Sequence, residues 1–143
     1  MADARMTVAE LEAFLHREFP QAFSGGDIVI ESADGASALL RQHYSERMLR
    51  PGGTVSGPTL MALADFAMYV VLLSAIGPVG LAVTTNLNIN FLRKGQPGRD
   101  IVAVARLLKL GKRLAVGEVQ LLSGTSPDPI AHVTATYSIP QTG

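Results

Sequence analysis

Asp65 is the only charged residue between Arg50 and Arg93, and it stands inside GPTLMALADFAMYVVLLSAIG, the most apolar run of the chain. An ionised carboxylate taken out of water costs many kcal/mol unless it is paired, hydrogen-bonded or protonated. No Lys or Arg lies near Asp65 in sequence. A buried acid of this kind is suited to activating water or to attacking an electrophile itself. The preceding segment, RPGGTVSGP from Arg50 to Pro58, puts glycines and a helix-starting proline on the approach to that acid. Acid and approach together mark a candidate catalytic site.

Each of these residues also has a bland explanation. The Asp65 carboxylate can bond a backbone group or Tyr69, which shares its helix face at i+4. Tyr69 suits a core as well as a site. Gly52, Gly53 and Gly57 can serve only to shape a turn, and Arg50 can be an ordinary surface residue. His16, His43 and His132 show no metal-ligand spacing, and the chain has no cysteine. That excludes disulfides, thiolate metal sites and a cysteine nucleophile. No metal or cofactor is expected.

The elements that must position these groups follow from patterning. The chain has 143 residues, 48% of them hydrophobic, which suits one core-forming domain. Twelve basic residues balance twelve acidic ones, so net charge points to no nucleic-acid or acidic partner. Arg93-Lys94 and Lys112-Arg113 are short basic pairs that suit one phosphorylated ligand. The charged N-terminus lacks the apolar core of a signal peptide, and a cytoplasmic location is expected. Residues 60–76 have about the minimum length for a bilayer span. Their central acid and the strand patterns around them favour a buried helix instead.

Thr7 and Glu10 read as a capping box opening a helix over residues 8–19, with Leu11, Phe14 and Leu15 on one face. Pro20 and Gly25-Gly26 end that segment. Residues 27–33 and 36–44 read as strands joined by a two-residue turn, Asp34-Gly35. Ser56 as N-cap and Pro58 open a second helix that stops at Gly77-Pro78. It is apolar almost all round, so it should be buried on most sides. In residues 81–92, Val83, Thr85, Leu87, Ile89 and Phe91 alternate with Thr84, Asn86, Asn88 and Asn90, giving one apolar and one polar face. Strands over 100–110, 114–122 and 130–139 follow, with short loops that favour an antiparallel meander after the helix. The result is an α+β chain whose antiparallel sheet must curl around one long helix.

The run from Ser56 and Gly57 to Ala64-Asp65, with TTNLNINFLRKGQPGRDI and GKRLAVGEVQL after it, resembles the hotdog-fold acyl-CoA thioesterases. The likeness is to the branch of phenylacetyl-CoA and 4-hydroxybenzoyl-CoA thioesterases. That branch carries His-Gly-Gly, then seven residues ending in Ala-Asp or Ala-Glu. Gly57 matches the first glycine and Asp65 the acid. Ser56 replaces the histidine, and Pro58 the second glycine. Arg50 stands where the family often has Asn or Gln. The resemblance implies a hotdog domain over residues 25–143, with residues 1–24 a helical extension.

It also implies a cytoplasmic acyl-CoA thioesterase without cofactor. Asp65 would be base or nucleophile, and the Gly57 N–H would stabilise the oxyanion, since Pro58 has no N–H to offer. Arg50 would orient the thioester or pair with the partner subunit's Asp65. Ser56, Thr59, Tyr69 and Asn88 would contact substrate, and Arg93, Lys94, Lys112 and Arg113 the CoA phosphates. Eight residues of ideal helix separate Gly57 from Asp65 by about 12 Å, too far to meet at one carbonyl. The resemblance implies that the two come from different subunits of a homodimer or a dimer of dimers. Asn86, Asn88 and Asn90 also fit a subunit contact or a solvated face. A non-catalytic acyl-CoA binder on the same fold is the alternative, favoured by Arg50. A hotdog hydratase would need a histidine following the acid, and none lies between His43 and His132.

Overall fold

The computed structural model describes residues 4–23 and 26–141. Helix α1 (Val8–Glu18) opens on the expected capping box: the Thr7 side chain accepts from the Glu10 N–H while the Glu10 carboxylate accepts from the Thr7 N–H. Its buried face is Leu11, Phe14 and Leu15. The expected boundary at residues 24 and 25, including Gly25, lies outside the described residues.

Strands β1 (Ile28–Ala33) and β2 (Ser37–Gln42) form the expected hairpin. Its loop is three residues, 34–36, one longer than the sequence suggests. The Asp34 carboxylate accepts from the N–H groups of Ala36 and Ser37 at 2.9 and 2.7 Å, and Gly35 takes φ +87°. The Asp34 N–H also donates to the Ser37 carbonyl at 3.0 Å, so the side chain reinforces a turn the backbone closes.

Helix α2 (Gly57–Ile76) starts where its cap places it. The Ser56 hydroxyl accepts from the Thr59 N–H, and at the other end Gly77 stops the helix at φ +96°. Leu63, Ala64, Ala67, Met68, Val70 and Val71 are all at most 1% exposed, so the helix is enclosed nearly all round. Each large side chain so buried contributes about 1.5–3 kcal/mol. The helix is long and apolar enough to cross a bilayer, but here it touches all six strands of one sheet.

The remaining strands are β3 (Val83–Phe91), β4 (Ile101–Leu110), β5 (Leu114–Ser123) and β6 (Pro129–Ser138). Sheet order is β1-β2-β4-β5-β6-β3, antiparallel throughout. The meander expectation holds for β4-β5-β6. It fails for β3, which pairs with β6 rather than with its neighbour β4 and ends as an edge strand. The one continuous sheet therefore wraps the helix, with β1 at one edge and β3 at the other. Mid-strand Gly117 lets helix and sheet approach closely, because a Cβ there would collide with the Met68 sulfur and stand 2.9 Å from the Arg106 carbonyl oxygen. This is the hotdog arrangement, a curled sheet around one central helix, with α1 added outside it.

Candidate active site

Asp65 sits in the third turn of α2, half-buried. Its Oδ1 accepts two hydrogen bonds, from the Thr84 hydroxyl at 2.6 Å and the Tyr137 hydroxyl at 2.8 Å. Tyr137 also lies 3.0 Å from the Asp65 backbone oxygen. Among the described residues nothing donates to Oδ2, and Asp65 lines an open cavity of about 840 Å³. One carboxylate oxygen is thus anchored while the other is free for a water or a reacting carbon.

The donors cannot compete for the charge. Burial, reinforced by the Asp65 charge, pushes the Tyr137 hydroxyl far above the ordinary phenol range, even though the Thr84 hydroxyl acts in the opposite direction. Tyr137 therefore stays a neutral donor. Its ring stacks on Tyr69, centroids 6.1 Å apart. Tyr69 does not bond Asp65. Its hydroxyl donates to the Gly80 carbonyl at 2.9 Å, and burial first, then the Glu18 charge, raises its pKa. Among the described residues no group of three His, Asp or Glu side chains forms a metal cluster.

Thr84 and Tyr137 escape a reading of the sequence. The strict alternation expected in β3 breaks at a bulge between Thr84 and Asn86. Thr84 consequently shares the inner side with Leu87 and Ile89, while Thr85 turns outward. The apolar-polar pattern put Thr84 with the asparagines. Tyr137 is only 3% exposed on β6, and a buried tyrosine hydroxyl requires a partner. That requirement is the one signal that could have pointed toward it.

Gly57 is the first residue of α2, and its N–H donates to no acceptor among the described residues. The Phe91 ring covers it, 3.2 Å from where a Cβ would stand. Gly57 does not line the Asp65 cavity. Ser56 and Thr59 share a hydroxyl bond of 2.8 Å within the cap. Arg50 is exposed on the loop before α2, where its backbone closes a turn with Gly53 and Thr54. Asn88 is exposed on the β3 edge. Arg93 and Lys94 are exposed beyond the end of β3, with Arg93 donating to the Pro129 carbonyl at 2.8 Å. Lys112 and Arg113 are exposed in the β4-β5 turn, at the opposite end of the sheet. Of the expected site residues, a single chain brings only Asp65 and Tyr69 together around the cavity.

A family model for the thioesterase superfamily matches residues 52–129. No curated protein sequence matches the chain. A candidate thioesterase from Silicibacter sp. TM1040 is similar to it at 44% identity and a TM-score of 0.87, covering 96% of this chain and 94% of that one. The PaaI protein of the E. coli phenylacetic acid degradation operon shares the fold at 24% identity and a TM-score of 0.76, over 91% and 96% of the two chains. The smu.793 protein of Streptococcus mutans UA159, solved with acetyl-CoA, shares it at 20% identity and a TM-score of 0.72, over 81% and 90%. With a family match spanning more than half its length around a helix-borne acid, the chain belongs to the thioesterase superfamily and is a thioester hydrolase of the hotdog fold.

Proposed function

We propose that the protein hydrolyses acyl-CoA thioesters in the cytoplasm as a homodimer or a dimer of dimers. The observation that carries this reading is the Asp65 carboxylate, with Oδ1 fixed by two neutral donors and Oδ2 open to the cavity. Asp65 acts as general base. Oδ2 takes a proton from water as the water oxygen bonds to the thioester carbon. The C–S bond then breaks, and the same proton passes to the departing CoA sulfur. The free Gly57 N–H at the start of α2 supplies the donor for the oxyanion.

The fold supports assembling these groups from two copies. Asp65 is tied to Thr84 near the start of β3, and Gly57 lies under Phe91 at its end. Strand β3 is a sheet edge carrying the exposed apolar residues Leu81, Val83, Phe91 and Leu92 at its two ends. Unpaired edges need a partner or protection. An antiparallel pairing of β3 with its copy, two-fold near Leu87 and Asn88, brings the Thr84 end of one strand beside the end that holds the partner subunit's Phe91. Paired strands lie about 4.8 Å apart, so Asp65 then approaches the partner subunit's Gly57.

The same operation gathers the basic pairs. Lys112 and Arg113 lie at the sheet end where Val83 pairs with Ser138. Arg93 and Lys94 lie at the other end, and the two-fold carries the partner's copies back to the first. Four cations then flank one site for the CoA phosphates. Arg50 and Ser56, on the loop that carries Gly57, and Thr59 and Asn88 come to the substrate from the same partner face. The bound acetyl-CoA of the S. mutans protein supports a CoA thioester as substrate. A thiol-release assay across short, long and aromatic acyl-CoAs tests the reading. Release from at least one class is expected, and none from any class would overturn it.

A further inference from the structure

We propose that the C-terminal end of helix α1 selects the acyl group, Phe19 limiting its size and Glu18 excluding acyl groups that end in an anion. This rests on the acyl-CoA reading above. The cavity that begins at Asp65 is walled by α2 on one side and by the 80–84 segment on the other. Its remaining wall is α1 and the turn after it, through Phe14, Glu18, Phe19 and Ala22.

The charge of the lining decides which end of the substrate enters. Besides Asp65, Glu18 is the one carboxylate among the described lining residues, and they include no Lys, Arg or His. Such a cavity repels CoA phosphates and offers nothing to pair a carboxylate. Apolar and aromatic side chains make up most of the rest. The cavity therefore takes the acyl chain, with the nucleotide directed away. An acyl group carrying its own terminal carboxylate meets Glu18, whose one cation, Arg17, stands outside the lining.

Phe19 is the ring best placed to set the size limit. It packs edge-on to Tyr69 at 6.1 Å and tilted against Phe66 at 6.2 Å. Tyr69 lies one helical turn, ~5–6 Å, beyond Asp65, and the Phe19 ring packs against Tyr69 rather than against the acid. Phe66 and Tyr69 are 6% and 7% exposed, but Phe19 is 38% exposed. It caps the end of α1, and Pro20 prevents the helix from continuing over it. Truncating this ring enlarges the cavity from its rim and leaves the core rings in place. Glu18 contacts Arg17 at 3.4 Å with both side chains more than half exposed, so neutralising it removes only a weak surface pair.

The test compares hexanoyl-CoA, adipoyl-CoA and dodecanoyl-CoA, by kcat/KM and by the Kd of their non-hydrolysable thioethers, in wild type, Glu18→Gln, Phe19→Leu and Phe19→Ala. The wild type should favour hexanoyl over adipoyl. Glu18→Gln should narrow that ratio by about 3–10-fold at low salt, and less at high salt. Phe19→Ala should raise dodecanoyl relative to hexanoyl by about 10-fold or more, with Phe19→Leu between. Ratios that stay fixed, or variants that move every ligand equally, overturn the selection by α1. If the thioether ratios shift as expected while no thioester is cleaved, the hydrolase reading fails and the acyl wall stands.

Discussion

Asp65→Asn separates chemistry from architecture because of how the carboxylate is held. The Asn carbonyl can occupy the Oδ1 position and still accept from Thr84 and Tyr137, now at 2.6 and 2.8 Å. Its amide then takes the Oδ2 position, facing the cavity. Losing the charge about halves the strength of those two bonds, each worth about 1 kcal/mol when neutral. Relief of a partly desolvated charge offsets that loss. Stability should consequently change by no more than about 1–2 kcal/mol, a few degrees of Tm for a chain of this size. Turnover should fall by about 10²–10⁴, the usual share of a general base, equivalent to about 2.7–5.5 kcal/mol of barrier. Tm and CoA thiol release are measured on one sample. A folded Asp65→Asn protein with wild-type turnover would refute the assignment of the base. A large loss of Tm with normal turnover per folded molecule would make Asp65 a structural residue.

Other consequences concern packing, pH, charge and assembly. Gly117→Ala should destabilise by about 1–3 kcal/mol in denaturant melts, since the new methyl meets Met68 and the Arg106 backbone. The Tyr44 N–H, then the His43 ring, hold the Asp100 carboxyl below its usual range. A lowered folded pKa stabilises above the unfolded value near 3.9 and is lost as pH falls through the folded one. Asp100→Asn should therefore lower Tm at pH 7 and converge on wild type once pH falls below the lowered folded pKa. Reversing Lys112 and Arg113 together to Glu should raise the Kd for CoA several-fold at low salt and flatten its salt dependence. Light scattering at micromolar concentration should give the mass of two or four chains, and a monomer would contradict the shared site.

Local signals carried the helices. Ser56, Pro58 and Gly77 delimit α2 by chemistry that acts within a few residues, so its bounds and the placing of Asp65 on it were legible. Thr7 and Glu10 did the same for α1. What depends on distant pairing was not legible. No local pattern states that β3 crosses to β6, so its place as a sheet edge appears only in the fold. The bulge after Thr84 needs β6 opposite it, and it alone turns that hydroxyl toward Asp65. Tyr137 is 72 positions from the acid it serves. Gly57 and Asp65 were both legible as chemistry, but their joint use as proposed depends on an assembly beyond one chain.

The central claim is that one subunit supplies the base and the other the oxyanion donor. Gly57→Pro removes the N–H at a helix position where proline is favoured, following a residue already extended at ψ 149°. Its Cβ stands nearest the half-exposed Phe91 ring, at 3.2 Å. Asp65→Asn and Gly57→Pro should each be nearly inactive alone. When the two are mixed and allowed to exchange subunits, half the dimers are mixed, and each holds one intact site of two. Activity should recover to about a quarter of wild type. A mixture that exchanges subunits yet stays as inactive as its parents would contradict the shared site.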